Sequence, residues 1–409
     1  MPLACETEAA LARIEAQEDQ IAAFVPGTFD AGRVRGELET LGDSDLPLAG
    51  LLVGVKDIIR VEGLPTRCGA ELPAALFAGP EASCVSALRR AGALITGKTV
   101  TTEFAVSHPG PTRNPRNLDH TPGGSSSGSA AAVAAGFCPL ALGSQTVGST
   151  IRPAAYCGVV GFKPSLGRVP LDGVVPYSWS LDHIGLIADR LDRLAPAMAV
   201  LTADWQAAAP LGEITLGIPE GAYLDLAAPA ARDHFETTLA RLAEAGVRIE
   251  RVPMLDQVDR LNEQILRLTY GEAYRVHRAW LEDHRALYRA STLEGLDLGA
   301  RVSDDELDEL RAVGTGLRAA LEDRMAGIDA WAAPAAPDVA PEGLAWTGDY
   351  AMNGIWTYAG LPNLTLPSGT DRKSLPYGLQ LAGAFGADEA LLQVARRVED
   401  LLNCVKRRT

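Results

Sequence analysis

Hydroxyl groups and lysines are the residues of this chain whose placement could support chemistry. Every residue from Gly123 to Gly136 is Gly, Ala or Ser except Val133, and Ser125, Ser126, Ser127 and Ser129 crowd its first half. A second bare segment follows: Gly143-Ser144-Gln145-Thr146-Val147-Gly148-Ser149-Thr150-Ile151-Arg152. Backbone so poor in side chains can be approached closely by other backbone or by a ligand. A serine hydroxyl is a weak nucleophile until a base takes its proton. A lysine can be that base once desolvation lowers its pKa. Lys56 is the candidate, because it sits near the end of the apolar run Leu48-Ala49-Gly50-Leu51-Leu52-Val53-Gly54-Val55. The plain alternative is a strand-end lysine whose ammonium reaches solvent. The S-x-x-K spacing of one Ser-Lys class is absent, so serine and lysine must meet from distant segments.

Two other patterns compete for these residues. Gly92-Ala93-Leu94-Ile95-Thr96-Gly97-Lys98-Thr99 spells G-x-x-x-x-G-K-T. A phosphate-binding loop needs a strand before its first glycine and a helix after Lys-Thr. Here a helical pattern precedes it and β-formers occupy it, so nucleotide binding is not expected. Gly124-Ser125-Ser126-Ser127-Gly128 satisfies G-x-S-x-G and would nominate Ser126. That elbow must follow a hydrophobic strand, whereas residues 117–122 read as a turn. Downstream histidines are few, and His234, His277 and His284 read as residues of charged surface helices.

The elements that must position the hydroxyls come next. Residues 3–25 carry helical spacing and read as an amphipathic surface helix, followed by a loop rich in Gly, Asp and Pro. Residues 48–59 read as a buried strand and 82–91 as a helix stopped by Gly92. The Ala-rich half of the bare stretch is a strong helix former, which argues against a flexible linker. From residue 221 onward long amphipathic patterns dominate, at 229–245, 256–284 and 303–325. The last opens with Ser303-Asp304-Asp305-Glu306, a capping-box pattern. Tyr270, Tyr274, His277 and Trp280 could line a substrate mouth but are better read as core.

Composition bounds the function classes. The chain has 409 residues, a formal net charge of −15 and 47% hydrophobic residues. Such acidity disfavours nucleic acid and anionic membranes as partners. The six cysteines are scattered without a C-x-x-C pair, which points to free thiols in a reducing compartment and not to a zinc ribbon. The first residues read as no signal peptide, and the run 130–142 is too short to span a bilayer. A cytoplasmic enzyme without metal or cofactor is the expectation, with homodimer formation left open.

Several segments together resemble the amidase signature family: Gly-Val-Lys56-Asp, Gly-Gly-Ser125-Ser-Ser-Gly-Ser, and Gly-Ser149-Thr-Ile-Arg-Pro, with Ser125 and Ser149 24 residues apart. The likeness continues through Gly161-Phe162-Lys163-Pro164-Ser165, Ser180-Leu181-Asp182-His183-Ile184-Gly185, Pro334-Ala-Ala-Pro337 and Pro376-Tyr377-Gly378-Leu379-Gln380. Within the family the chain looks most similar to malonamidase. The resemblance implies a single α/β domain over residues 1–409, a mixed sheet covered by helices on both faces, with a helical excursion at about 221–325. It implies a triad of Ser149 as nucleophile, Ser125 as relay after a cis peptide, and Lys56 as base. Backbone N–H groups of Thr146, Val147, Gly148 and Ser149 would form the oxyanion hole, and Ser126 would face the substrate. The family usually has Gly-Gly before the nucleophile, where this chain has Val147-Gly148; a positive φ at that first position would strain the valine. Arg152 follows Ser149 by three residues instead of the usual two, as in malonamidase, which implies that it binds a substrate carboxylate. The alternative is a structural arginine paired with an acidic neighbour.

The resulting expectation is hydrolysis of a small amide, malonamate-like or other, through an acyl-enzyme on Ser149. Two readings stand beside it within the family: the A-type glutaminase subunit of a tRNA-dependent amidotransferase, and a carbamate- or biuret-type hydrolase. A non-catalytic protein that holds an anion in its Gly/Ser loop is a third.

Overall fold

Apolar β-branched residues with small neighbours make β1, Leu52–Lys56, a strand buried along its whole length. It lies near one edge of a mixed sheet, described here from a computed structural model covering residues 3–106, 108–209 and 211–406. The other strands are β2 (Leu94–Thr99), β3 (Leu140–Gln145), β4 (Val160–Lys163), β5 (His183–Ala188), β6 (Thr215–Glu220), β7 (Arg248–Pro253), β8 (Ala330–Pro334), β9 (Asn363–Thr370) and β10 (Pro376–Ala382). Their order across the sheet is β2-β1-β3-β5-β4-β9-β10-β8-β6-β7. β1 runs parallel to β2 and β3, β6 runs parallel to β7 and β8, and the central pairings are antiparallel.

Side chains alternate between the two faces of a strand, and the packing follows that alternation. Val53, Val55, Leu140 and Leu142 enter the larger core, whereas Leu52, Leu94 and Ala141 enter a second one with Leu11, Ile14, Phe24 and Ala130 to Ala132. Helices therefore cover both faces, as the sequence resemblance implied.

The Gly/Ala/Ser stretch forms the helix Ser127–Ala134, inserted between β1, β2 and β3 and the N-terminal helix Leu3–Ile21. Its bareness is a packing requirement. A Cβ on Gly128 would collide with both the Ala23 carbonyl oxygen and the Val100 nitrogen.

Several expectations needed correction. The loop expected after residue 25 contains the helix Ala31–Leu41, started by Asp30, whose carboxylate accepts the Arg33 N–H. Gly32 and Gly36 lower the helix propensity of this segment. The stretch 221–325 is not wholly helical, since β7 belongs to the main sheet. Its longer helices are Pro229–Glu244, Val258–His284, Ala290–Gly299 and Asp304–Asp323. Ser303 caps the last by accepting the Glu306 N–H, but the Glu306 carboxylate turns to Arg267, so the box is only half made. His277 is fully buried, not solvated, and packs edge-on against Phe104, Trp280 and Tyr288.

Candidate active site

The β1–β3 pairing sets Val55 opposite Leu142, so Lys56 and Ser144 emerge side by side at the same end of the sheet. Lys56 Nζ lies 2.8 Å from Ser144 Oγ and 2.6 Å from Ser125 Oγ. The peptide bond Gly124–Ser125 is cis. Lys56 is completely buried, and that desolvation holds its amine well below the ordinary lysine pKa, with the Asp182 charge pulling the other way. A buried ammonium without a carboxylate partner is costly, so burial favours the neutral amine. Neutral, it can accept a proton from Ser125.

β3 ends at Gln145, and the chain then crosses the sheet end before the helix Ile151–Cys157. The Gln145 side chain organises this crossing. Its Oε1 accepts the N–H groups of Thr150 and Ile151 at 2.9 and 3.0 Å, and its Nε2 donates to Thr357 Oγ1. Thr357 in turn donates to the Val147 carbonyl at 2.9 Å. The N–H groups of Thr146, Val147, Gly148 and Ser149 are left without an acceptor among the described residues. Four adjacent donors at the start of a helix can hold an anionic oxygen. Ser149 is 8% exposed, and its own carbonyl accepts the Ser126 N–H at 3.2 Å.

Val147 has no positive φ, so the departure from Gly-Gly carries no backbone strain. Its side chain packs beside the cluster of Leu181, Ile265 and Leu268. The following glycine is required for space: a Cβ on Gly148 would lie 2.7 Å from Asn353 Oδ1.

Arg152 is buried and does not form the acidic pair that its structural reading required. Its Nη2 donates to the Gly124 carbonyl at 2.7 Å and to Thr347 Oγ1 at 3.2 Å, while Nε and Nη1 are buried without a partner among the described residues. Desolvation lowers its pKa from the ordinary value, opposed by Tyr156, Asp349 and Tyr350 nearby; a guanidinium remains charged nonetheless. Two unused donors on a desolvated cation suit an incoming carboxylate.

Ser126 stands elsewhere. Its hydroxyl donates to the Ser144 carbonyl and accepts the Ser144 N–H, at 3.1 and 3.2 Å, and it is fully buried. Those bonds tie the Ser127–Ala134 helix to β3 and occupy the hydroxyl. Lys98 lies in β2 and is paired with Asp57 at 2.8 Å, so the G-x-x-x-x-G-K-T pattern forms no phosphate cradle. Among the described residues no group of three or more His, Cys, Asp or Glu is arranged to hold a metal ion, and no helix is long and apolar enough to cross a membrane.

Sequence reasoning assigned no role to Ser144, Gln145 or Asp182. Asp182 accepts Thr146 Oγ1 at 2.6 Å and the N–H groups of Tyr177 and Ser178 at 2.8 and 3.0 Å; burial pushes its pKa up to about 6. It stood within the Ser180-Leu181-Asp182-His183 segment, but only the β3–β5 register, Gln145 opposite His183, brings it to Thr146.

The Amidase family model matches residues 6–392. The A subunit of glutamyl-tRNA(Gln) amidotransferase from Koribacter versatilis is 30% identical, over 96% of this chain and 94% of that protein. A crystal structure described as an amidase superposes with a TM-score of 0.88 at 31% identity, covering 96% of this chain and 94% of the other. The corresponding A subunit from Thermotoga maritima superposes at 0.79 with 26% identity, covering 96% and 90%.

Proposed function

The chain belongs to the amidase signature family of C–N hydrolases, which work through a Ser-Ser-Lys triad, and from that premise we propose that it hydrolyses the primary amide of a small carboxylate-bearing substrate through an acyl-enzyme on Ser149. One observation carries this reading: Lys56, buried and with its pKa held well below the ordinary lysine value, lies 2.6 Å from Ser125 Oγ. Lys56 takes the Ser125 proton as Ser125 takes that of Ser149. Ser149 Oγ then attacks the amide carbon, and the carbonyl oxygen becomes an oxyanion facing the N–H groups of Thr146 to Ser149. Each such donor is worth ~3 kcal/mol to the transition state. As the intermediate collapses, the C–N bond breaks and the proton returns through Ser125 to the departing nitrogen, which leaves as ammonia. Water repeats the sequence on the ester: it gives a proton to the same relay, adds to the carbonyl, and releases the carboxylate and Ser149.

Arg152 supports an anionic substrate, since a carboxylate on the acyl part could use its Nε and Nη1. Malonamate and the side-chain amide of glutamine both meet that description. The names of the relatives favour the second: proteins 30–32% identical over most of their length are named as the A subunit of glutamyl-tRNA(Gln) amidotransferase. They support the glutaminase-type reading better than malonamate hydrolysis. In that reading the ammonia is passed on within an assembly of subunits.

Ammonia release by the purified chain from glutamine, malonamate and a neutral amide of similar size tests both. The reading expects turnover of an anionic amide and none by Ser149→Ala. Turnover without partners favours the free-standing amidase; glutamine turnover only after partner subunits are supplied favours the amidotransferase component. Full activity of Ser149→Ala would reject the acyl-enzyme itself.

A further inference from the structure

The long helix Val258–His284 buries a carboxylate where it passes the loop between β4 and β5. Glu272 is fully buried. Its Oε2 accepts Ser178 Oγ at 2.8 Å and the Ser180 N–H at 3.1 Å; its Oε1 accepts Ser180 Oγ at 2.8 Å and Arg311 Nε at 2.9 Å. Arg311, from the neighbouring helix Asp304–Asp323, also brings Nη2 to 2.8 Å. Trp179, between the two serines and 45% exposed, lies beneath the same guanidinium, its ring centre 5.5 Å away. The loop thus has one carboxylate on each side, because Asp182 gathers Tyr177, Ser178 and Thr146 from within.

Burying a carboxylate is unfavourable unless donors surround it, and an apolar residue would close this loop at less cost. What the charge supplies is direction. Serine hydroxyls and a backbone N–H can satisfy Glu272 in few arrangements, so the loop is held in one. Ser178 belongs to both sets: its hydroxyl goes to Glu272 and its N–H to Asp182. A continuous path of hydrogen bonds therefore runs from Arg311 through Glu272, Ser178 and Asp182 to Thr146, the first residue of the unpaired N–H row.

We propose that Glu272 is a positioning residue for the reaction: by fixing the Ser178–Asp182 loop it sets Thr146 and the oxyanion-binding row that Thr146 begins. This rests on the reading of Ser149 and that row given above. The helices around residues 258–323 then act on the chemical step.

A double-mutant cycle tests it on the full-length chain with the best amide substrate found. Glu272→Gln should lower kcat by about tenfold or more while KM changes by less than about threefold, as expected for interactions made in the transition state. Thr146→Val keeps its N–H but loses the hydroxyl to Asp182, and should fall similarly. The double variant should be no slower than the slower single, because both break one path. Losses that multiply, or an unchanged kcat in Glu272→Gln, overturn the proposal. If circular dichroism shows Glu272→Gln unfolded, Ser180→Ala enters the same cycle with the same two outcomes. A phenylmethylsulfonyl adduct on the wild-type chain, mapped to Ser149, is recorded alongside; an adduct elsewhere would sink the site reading, whereas the cycle alone judges Glu272.

Discussion

Lys56 and Arg152 are two buried basic side chains whose settings differ in a way that divides their work. Lys56 has two serine hydroxyls at hand and no paired carboxylate among the described residues, so desolvation favours its neutral, basic form. Only the neutral form can act, so kcat/KM should rise with pH through an apparent pKa well below the ordinary lysine value of ~10.4. Asp182 favours the charged form from a distance. Asp182→Asn should therefore move that limb to lower pH, besides lowering its plateau through Thr146. A limb that stays in place after Asp182→Asn, or survives in Lys56→Ala, would remove Lys56 from the chemistry. Arg152 keeps its charge and two unused donors. Arg152→Ala should cost an anionic amide well over tenfold in kcat/KM, since a charge-assisted contact is worth ~2 kcal/mol, and leave a neutral amide within about threefold. Equal losses on both would make it scaffold for Gly124 and Thr347. Lys56, Ser125 and Ser149 were nominated because each sits in a short, distinctive segment. Asp182 and Ser144 were not, because their partners are chosen by strand register. His277 had two readings, a solvated helix residue and a core aromatic, because its neighbours in sequence are charged, whereas its neighbours in space are Phe104, Trp280 and Tyr288.

At the scale of elements, the site is a seam between β3 and the helix Ile151–Cys157, pinned by Gln145 and Thr357 and backed by the helix Ala351–Tyr358. Asn353 of that last helix cannot yield to an intruding methyl, because its Nδ2 is bound to the Ala335 carbonyl and to Gln380 Oε1. Gly148→Ala should displace the N–H row by a few tenths of an ångström or more and lower kcat by about a hundredfold, the equivalent of one lost donor. Thermal unfolding should shift far less than activity. A Gly148→Ala enzyme with normal kcat would show that the row is not where the oxyanion sits. Strands β1 and β2 and the helices Pro229–Glu244, Val258–His284 and Asp304–Asp323 were readable from periodicity and stop signals. The sheet order was not, since pairing β3 with β5, or β4 with β9, depends on contacts far apart in sequence. The helix Ala290–Gly299 was also missed, its pattern broken by Gly295 and Gly299, both of which press against Tyr270.

At the scale of the molecule, burial sets how stability responds to acid. His277 is held neutral, its pKa pushed down to about 3 by desolvation. The unfolded chain protonates this histidine near pH ~6.5, so it binds the extra proton between those values and stability falls as pH drops through that window. Buried carboxyls such as Asp182, pushed up to about 6, act in the opposite sense. The difference between wild type and His277→Phe isolates the histidine: the variant should be less stable at pH 7, having lost the Tyr288 contact, but lose less melting temperature on acidification to pH 5. Parallel curves would mean that His277 does not titrate on unfolding. The proposed reaction turns on which serine becomes acylated. Treating the intact chain with phenylmethylsulfonyl fluoride and mapping the adduct by peptide mass spectrometry tests that most directly. The account predicts modification at Ser149, retained in Ser126→Ala and lost in Ser149→Ala; an adduct on Ser126, or one that persists in Ser149→Ala, would contradict it.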